Sequence, residues 1–440
     1  MTQKQPQIPA APHPFISTIL TLLLFTCVLV VYPVHYDSSV NWLKHSGYES
    51  LATAESLVDG KGFSNPFAMM ETGPSACLPP VYPAFMAIIL LCAPNEPSAF
   101  FALQWCATLM IALQVCLLPW LARRMGLGFY AGIVAAAFWV IARIPNWPVW
   151  EQNFLGLLIS LAAYCMYKGL TGVFTRWQLL LCGLLWGVLI LACPVAILAL
   201  SAWLLLLHFK RTLPTSQKLI LVLIPLAIVA PWLLRNFEEF HSFVFVRDNL
   251  GLEVELADNP CAAYSFDLTR DSGCFAEHHP NENVTEALKV LELGELAYNR
   301  QCMSQATAWI RNNPSTFFEM TVKRGISYWF PIAQRVTVLG RRDTELHTLL
   351  YDGVVSLTSL LALPGLVLLW RRNRAALNVL LIWLLFFPLV YYFVLYNDRY
   401  RIPILWAILL PAGYAVTELW RWLYKSVQSV GGRGRALPHS

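Results

Sequence analysis

Residues 15–34 read FISTILTLLLFTCVLVVYPV, a run of 20 residues that contains no charged side chain. A helix needs about 20 apolar residues to cross the roughly 30 Å of hydrocarbon in a bilayer. The run is too long for a simple secretory signal peptide and lacks a small-residue cleavage site, so we interpret it as an uncleaved membrane anchor. Because comparable runs recur along the chain, this stretch decides the fold class.

Nine further runs are long and apolar enough to be interpreted as membrane spans. They lie at residues 99–121, 128–145, 152–168, 177–192, 194–209, 218–234, 348–370, 375–395 and 402–424. The composition of the 440 residues agrees, since 57% are hydrophobic and only 13% are charged, against about 25% charged in soluble proteins. We therefore expect an all-α polytopic membrane protein with about ten transmembrane helices.

The same composition excludes three classes of protein. A chain with this high apolar content is not intrinsically disordered. Most of its 11 cysteines lie in or beside apolar runs, so it is not a small secreted disulfide scaffold. The net charge of +5 is small and is sorted by membrane side, so membrane lipids are expected partners and nucleic acid is not.

One apolar run is too short to cross the membrane. Val81–Ala93 is closed off by Pro79, Pro80 and Pro94, and about 13 residues of helix rise only about 20 Å. Counting this run as a full span would also reverse the sidedness of every later loop. We therefore interpret it as a re-entrant or interfacial segment of the first outer loop.

Positive charge predicts the orientation of the spans. With a cytoplasmic N-terminus, the inside segments hold Lys4, Arg123, Arg124, Lys168, Arg176, Lys210, Arg211, Lys218, Arg371, Arg372, Arg374, Arg421, Lys425, Arg433 and Arg435. The same segments hold one acid, Glu418. We therefore expect both termini in the cytoplasm.

These spans divide the chain into four parts. They are an N-terminal transmembrane bundle (1–234) that includes the first outer loop (35–98), an extracytoplasmic loop (235–347), C-terminal transmembrane helices (348–425) and a disordered basic tail (426–440). The large loop carries 16 Asp and Glu against 11 Lys and Arg. Its later half has apolar residues at helical spacing, with Asn313 and Pro314 typical of a helix start.

The cysteines and histidines of the large loop give no zinc motif. Cys261 and Cys274 either pair in a disulfide, which is stable on the outer side, or remain free thiols. His278 and His279 are interpreted as solvated loop residues and not as metal ligands. The sequence thus assigns no metal ligand and no certain cofactor, and a divalent metal stays possible.

Carboxylates and arginines gather on the predicted outer side. Glu151 opens a span, where an acid either has a function or is favoured by the helix dipole. Arg399 and Arg401 lie in YNDRYRIP, against the positive-inside trend. They either bind an anion, since the guanidinium fork suits phosphate oxygens, or anchor the span and pair with Asp398. Nucleotide sugars and ATP are not normally available outside, so the pattern indicates a reaction on a lipid phosphate.

Six strings carry a resemblance to a known family. They are GYESLATAESLVDGKGFSNPF (47–67), TGPSACLPPVYP (72–83), VWEQ (149–152), PWLLRNF (231–237), VRDNLGLEVELADN (246–259) and GELAYNRQ (294–301). In this order, with the late RYR, the chain resembles the GT-C polyprenyl-phosphate-sugar glycosyltransferases, which include the protein O-mannosyltransferases and the lipid A aminoarabinose transferase. Its strings look most like those of a group of uncharacterised bacterial members.

The resemblance implies roles for individual residues. Members place a catalytic carboxylate in the first outer loop, where Glu49 is the best match and Asp37 the second, while the usual pair of adjacent acids is absent. Glu151 is a further candidate for a catalytic role. The candidates for binding substrate or the donor phosphate are Arg247, Arg399, Arg401, Lys61 and Tyr82.

The activity that the resemblance implies is sugar transfer from a polyprenyl-phosphate donor. A carboxylate would act as the base, and the acceptor would be a lipid, a glycan or a protein on the extracytoplasmic side. The expected location is a bacterial inner membrane. Two alternatives remain: a transporter or flippase of a lipid-linked or anionic substrate, and a scaffold that has kept the fold without the activity. Against the transporter, ionisable residues lie at the outer ends of the spans and not at the midplane.

Overall fold

The computed structural model describes residues 13–40, 48–144, 146, 148–333 and 346–433. The structure is 76% helical. Within the described residues, extended pairing is limited to two isolated bridges, Ser64 with Pro74 and Ser265 with Tyr396. The predicted all-α class is confirmed.

The helices follow one another with short connections over most of the chain. The first part contains α1 (Pro14–Val31), α2 (Glu49–Val58), α3 (Val81–Cys92), α4 (Glu96–Arg124), α5 (Phe129–Ala142), α6 (Gln152–Thr171), α7 (Arg176–Ala192), α8 (Ala196–Lys210) and α9 (Thr215–Phe240). The middle contains α10 (Leu250–Ala257), α11 (Phe266–Asp271), α12 (Cys274–His278), α13 (Val284–Leu293), α14 (Glu295–Asn312) and α15 (Pro314–Trp329). The last part contains α16 (Leu346–Arg372), α17 (Arg374–Phe386) and α18 (Leu405–Arg433), with short 3-10 segments at Val390–Tyr392 and Asp398–Ile404.

Each of the ten predicted spans contains a helix. Seven helical segments of the described chain are long and apolar enough to cross a membrane. They are α1, α4, α6 and α9, together with Leu349–Arg372 in α16, Arg374–Tyr392, which joins α17 to the following 3-10 turn, and Asp398–Gln428, which includes most of α18. Helices α5, α7 and α8 are apolar but have only 14, 17 and 15 residues. Their passage through the membrane therefore stays a prediction.

Three helix ends differ by six or more residues from the sequence interpretation. Helix α9 continues to Phe240, beyond the predicted end at 234. The span predicted for 375–395 stops at Phe386, because Pro388 has no N–H and disfavours helix in the residue before it. Helix α18 continues to Arg433 through part of the predicted tail, which has no proline before residue 438. The rest of that tail, 434–440, lies outside the described residues.

Loops at alternate helix ends gather at two ends of the bundle. At one end, Asn373 Nδ2 donates to Met125 O at 2.8 Å and Gln217 Nε2 donates to Phe174 O at 2.9 Å. These contacts join loops that the charge pattern places inside. At the other end, the α5–α6, α7–α8 and α17–α18 connections line one cavity.

Glycines let the C-terminal helices pack closely on the first part of the bundle. A Cβ on Gly365 would lie 2.0 Å from Pro411 O, and one on Gly413 would lie 2.2 Å from Ala131 O. Such close backbone approach is the role of small residues at helix interfaces in membranes. It brings α16, α18 and α5 together and so fixes the connection before α18, which reaches the cavity.

Helix α2 starts at Glu49 and packs on α3 and on the segment before α6. Leu51, Tyr82, Met86 and Val149 are buried in one cluster there. Helix α3 has 12 residues and begins after Pro80, as the proline boundaries predict. This packing places the first residue of α2 beside the α5–α6 connection.

The large loop is helical, as its later half predicts. Asn313 and Pro314 do mark the start of α15, with the proline in its first turn. The Asn313 side chain, however, donates to Trp309 O at 2.9 Å and so binds the preceding helix α14. Asn313 therefore binds the end of α14 with its side chain and not the start of α15.

Candidate active site

A cavity of about 970 Å³ lies where the first outer loop meets the segments after α5, α7, α9, α12 and α17. Four of the predicted site residues line it: Glu49, Glu151, Arg247 and Arg399. All four come from separate segments of the chain. The fold thus brings together acidic and basic residues that are far apart in the sequence.

Glu49 is a carboxyl group of this cavity whose pKa is changed by burial. Its side chain is 15% exposed, and its Oε1 accepts a hydrogen bond from Asn281 Nδ2 at 2.8 Å. His279 Nε2 lies 3.4 Å from the same oxygen. Burial raises the pKa of Glu49 to about 7, against smaller opposing effects of its own backbone N–H and of Arg399. A carboxyl group with this pKa can accept a proton near neutral pH.

His279 and Asn281 are site residues that the sequence interpretation missed. His279 is 6% exposed and its ring stacks on Phe275 with 4.6 Å between centroids. Burial lowers the pKa of His279 to about 3, so the imidazole is neutral. The interpretation of His279 as a solvated histidine is therefore wrong. No local sequence pattern marks His279, because its partner Glu49 lies far away in the sequence, in the first outer loop.

Arg247 enters the cavity from a tight turn after α9. Its N–H donates to Phe245 O at 2.6 Å across Val246, whose φ is +55°. A β-branched residue at positive φ is strained. The turn is held on both sides, since Trp232 Nε1 donates to Val246 O at 2.8 Å and the next N–H, of Asp248, donates to Ala76 O at 2.7 Å.

Arg399 reaches the cavity from the 3-10 segment before α18. Its guanidinium carbon lies 3.6 Å from the centroid of the Trp150 ring, and Tyr48 meets that ring edge-on at 5.5 Å. This stack joins Arg399 to the residue before Glu49. Among the described residues, Nε of Arg399 and Nε of Arg247 are buried without a hydrogen-bond acceptor. Both arginines thus have a donor without a partner in the structure.

Glu151 lies at the cavity wall at the start of α6. Its backbone carbonyl accepts the first hydrogen bond of the helix, from Leu155 N at 2.8 Å. This position agrees with both explanations that the sequence left open for Glu151. A helix start favours negative charge, and the residue also lines the cavity, where it could have a function.

Two further candidates hold cavity segments from behind and are absent from the cavity lining. Arg401 is fully buried, and its Nη1 donates to Tyr328 O at 2.5 Å while Nη2 donates to Tyr351 Oη at 2.8 Å. Tyr82 donates to Pro148 O at 2.8 Å, which fixes the segment that carries Trp150.

Two other candidates lie away from the cavity lining. Lys61 pairs with Glu71 at 2.7 Å and with Asp59 at 3.4 Å at the protein surface. Asp37 is exposed, and its Oδ1 accepts hydrogen bonds from Ser39 N at 2.8 Å and Ser39 Oγ at 2.6 Å. Local contacts account for both residues.

Arg143 is a third cavity residue that the sequence interpretation did not select. It caps the end of α5 with φ +48° and lines the cavity. The available signal was an arginine at the predicted outer end of a span, in ARIPN. That position runs against the positive-inside trend in the same way as Arg399.

The described residues contain one group close enough together to hold a metal ion, namely Cys261, Cys274 and His278. Cys261 and Cys274 form a disulfide, with Cα atoms 5.7 Å apart. Of the two outcomes that the sequence left open, the disulfide is therefore the one formed. Disulfide sulfurs lack the thiolate charge that binds metals, so this group does not fit a metal ion, and no chemical step is assigned to one.

His278 is held by a carboxylate. Its Nδ1 lies 2.6 Å from Glu255 Oε1, and this hydrogen bond raises the pKa of His278. The side chain is only 30% exposed. The solvated interpretation of His278 is therefore also too simple.

Comparison with known proteins gives a likeness in structure alone. No protein-family model matches the chain, and no curated protein matches it. The chain is similar to the crystal structure of the Archaeoglobus fulgidus oligosaccharyltransferase in complex with Zn and sulfate, with a TM-score of 0.52 and 12% identity. The match covers 92% of this chain and 49% of the archaeal one, so the chain spans about half the length of that enzyme.

A second protein matches with lower scores. ArnT from Cupriavidus metallidurans, bound to undecaprenyl phosphate, gives a TM-score of 0.38 and 13% identity over 92% of this chain and 78% of that one. Its apo structure gives 0.37 and 13% over 91% and 77%. At 12% identity, the match to the archaeal enzyme shows a similar fold and not a similar chemistry. The chain therefore shares the fold of the part of the archaeal oligosaccharyltransferase that it matches.

Proposed function

We propose that this protein transfers a sugar from a polyprenyl-phosphate donor to an acceptor hydroxyl in the cavity. The observation that carries the proposal is the combination of a carboxyl group of raised pKa, Glu49, with two arginines that have buried unpaired donors, Arg247 and Arg399. A proton acceptor and an anion-binding pair in one cavity are what displacement of a phosphate leaving group requires.

Glu49 is the base in this proposal. The acceptor O–H loses its proton to the carboxylate while the oxygen forms a bond to the anomeric carbon of the donor sugar. The bond between that carbon and the phosphate oxygen breaks, and its electron pair leaves with the polyprenyl phosphate. Asp398, another acid of the cavity, is already engaged by Tyr396 Oη and lies 3.6 Å from Arg401. Glu49, by contrast, accepts a hydrogen bond from the neutral Asn281 amide and has the neutral His279 ring 3.4 Å away.

Arg247 and Arg399 bind the phosphate. Charge develops on the leaving oxygen in the transition state, and preorganised cationic donors stabilise it there. Trp150 keeps the Arg399 guanidinium in one plane by stacking. Between these arginines and the bundle, the wall is apolar, with Leu155, Val195, Val390, Val394 and Leu395. Such a wall suits the prenyl chain of the donor.

The cavity faces the extracytoplasmic side in this proposal, and both termini are cytoplasmic. The net acidic large loop and its Cys261–Cys274 disulfide support this sidedness, because disulfides persist in oxidising compartments. A bacterial inner membrane is the proposed location. The acceptor is a lipid, a glycan or a protein.

The test uses the full-length protein in vesicles with a panel of polyprenyl-phosphate sugars carrying a labelled sugar. We expect labelled product with at least one donor, and loss of that product in Glu49→Gln. Movement of labelled lipid between leaflets without any transfer would instead establish the transporter or flippase alternative. Absence of both activities with every donor would contradict the proposal and leave the scaffold alternative.

A further inference from the structure

The backbone after α12 determines which nitrogen of His279 carries a proton. Asn281 N–H donates to His279 Nδ1 at 3.0 Å. A ring nitrogen that accepts a hydrogen bond is unprotonated, so the proton of the neutral imidazole lies on Nε2. That is the nitrogen 3.4 Å from Glu49 Oε1. The hydrogen on His279 therefore lies on the ring nitrogen nearer to the carboxylate.

Asn281 is oriented in the same way by its own partners. Ala68 N donates to Asn281 Oδ1 at 2.8 Å, so the amide nitrogen faces Glu49 and donates to it. One residue thus determines the His279 tautomer with its backbone and binds Glu49 with its side chain.

Aromatic packing holds the imidazole in this orientation. Phe275 stacks on the ring at 4.6 Å with an interplanar angle of 18°. Phe67 meets it edge-on at 6.1 Å and 78°. The ring is thus fixed from two sides, by the large loop and by the first outer loop.

We propose that His279 is a positioning residue, which keeps a neutral N–H beside the Glu49 carboxylate while Asn281 donates a hydrogen bond to it, and that the two together adjust the proton affinity of the base. This inference rests on the proposed function for the role of Glu49 as base. Neutral donors stabilise the carboxylate without supplying the full positive charge that would lower its pKa strongly. The proton affinity of Glu49 therefore depends on these donors as well as on burial.

The other charged groups around Glu49 come from two further segments. Arg399, before α18, and Arg247, after α9, favour the ionised carboxylate, while Glu253 of α10 disfavours it. His279 remains neutral across an assay range of about pH 5 to 9, because burial has lowered its pKa to about 3. A change at His279 therefore removes a donor and not a charge.

The experiment titrates Glu49 in the purified full-length protein by infrared difference spectroscopy. It follows the C=O band of the protonated carboxyl, which is assigned by its loss in Glu49→Gln. His279→Leu removes the donor, and we expect the titration midpoint to rise by about one pH unit. His279→Gln keeps an N–H at similar reach, so its midpoint should stay close to that of the unchanged protein. His278→Gln is the matched control in the neighbouring position and should not shift it.

Asn281→Leu is a second variant in case His279→Leu fails to fold, as judged by its thermal transition. It keeps the backbone N–H and removes the side-chain donor, so an upward shift is again expected. Equal midpoints in His279→Leu and the unchanged protein, or equal shifts in the Leu and Gln variants, would overturn the inference. The pH profile of sugar transfer separates the two proposals. A shifted titration in a protein without transfer activity refutes the proposed function alone, whereas transfer with an unshifted profile refutes the inference alone.

Discussion

Replacing Glu49 with glutamine keeps the size of the side chain and removes its ability to accept the proton. We expect turnover to fall by about two orders of magnitude or more, measured as labelled sugar transferred in vesicles, with an unchanged thermal transition. Asp37→Asn is the control, since Asp37 is exposed and engaged by Ser39. Normal turnover in Glu49→Gln with loss in Asp37→Asn would move the role of base to Asp37.

The raised pKa of Glu49 also predicts a pH dependence. Only the ionised carboxylate accepts a proton, so turnover should rise with pH and reach half its maximum near pH 7, the pKa that burial gives to Glu49. An exposed glutamate would place the midpoint near about pH 4.3. A transfer rate that is flat from about pH 5 to pH 8 would show that the base is another group.

Arg399 and Arg401 should respond differently to lysine. Arg399→Lys keeps the charge and loses the fork that binds phosphate, so we expect KM for the donor to rise about tenfold with the fold intact. Arg401→Lys leaves buried acceptors such as Tyr328 O and Tyr351 Oη without their donors, at about 1–3 kcal/mol for each unsatisfied group. It should therefore lower the melting temperature. A raised KM with unchanged melting in Arg401→Lys would reverse the two assignments.

The contrast between these two arginines shows how far sequence reasoning reaches. An anion-binding pair could be predicted from their position at the outer end of a span. The sequence could not show that the segment is a 3-10 helix, in which residues two apart point in different directions because a turn has three residues. His279 is harder still, because only tertiary packing brings it beside Glu49.

The segment from α11 to α13 connects the disulfide to Glu49, the proposed base. The Cys261–Cys274 disulfide joins two residues that are 13 positions apart in the sequence. Helix α12 begins at Cys274 and ends directly before His279, which lies two residues before Asn281. Closure of a loop of about 15 residues is worth about 3 kcal/mol in the chain-entropy account. Replacing both cysteines with alanine should therefore lower the stability by about 3 kcal/mol and reduce turnover, because the partners of Glu49 become less ordered.

Cys92→Ala is the matched control for the cysteine pair, since Cys92 is an exposed free cysteine. Thermal unfolding and sugar transfer are measured on both variants in the same vesicles. If the double alanine variant melts and turns over like Cys92→Ala, the disulfide does not constrain the segment.

Helices were more predictable than their ends. Long apolar runs are a strong signal, so the sequence located a helix in all ten predicted spans, whereas the break after Phe386 depends on Pro388 and on the packing of the following turn. The Asn313 side chain shows the same limit. Its sequence position predicts a cap for α15, but in the fold it binds α14.

For the whole molecule, the sorting of charge and the grouping of loops point to one orientation. The loops joined by Asn373 with Met125 carry the basic residues, and the cavity lies at the other end of the helices. The composition could predict a membrane protein, and the order of the strings could predict its fold. Neither the composition nor the order of the strings could define the cavity. Its walls come from segments that are far apart in the sequence, such as those of Glu49 and Arg399.

Labelling of single engineered cysteines tests this orientation, in a background from which exposed free cysteines have been removed. Gly60 and Val284 are exposed in the first outer loop and in the large loop, and Ser216 and Arg371 are exposed at the opposite helix ends. A membrane-impermeant maleimide added to intact cells should label cysteines at positions 60 and 284 and leave those at 216 and 371 unlabelled until the membrane is opened. The positive-inside rule gives the reason, because the basic residues cluster beside positions 216 and 371. Reversed labelling would place Glu49 and both arginines in the cytoplasm, where nucleotide-linked donors are available, and the proposed lipid-linked donor would lose its main argument.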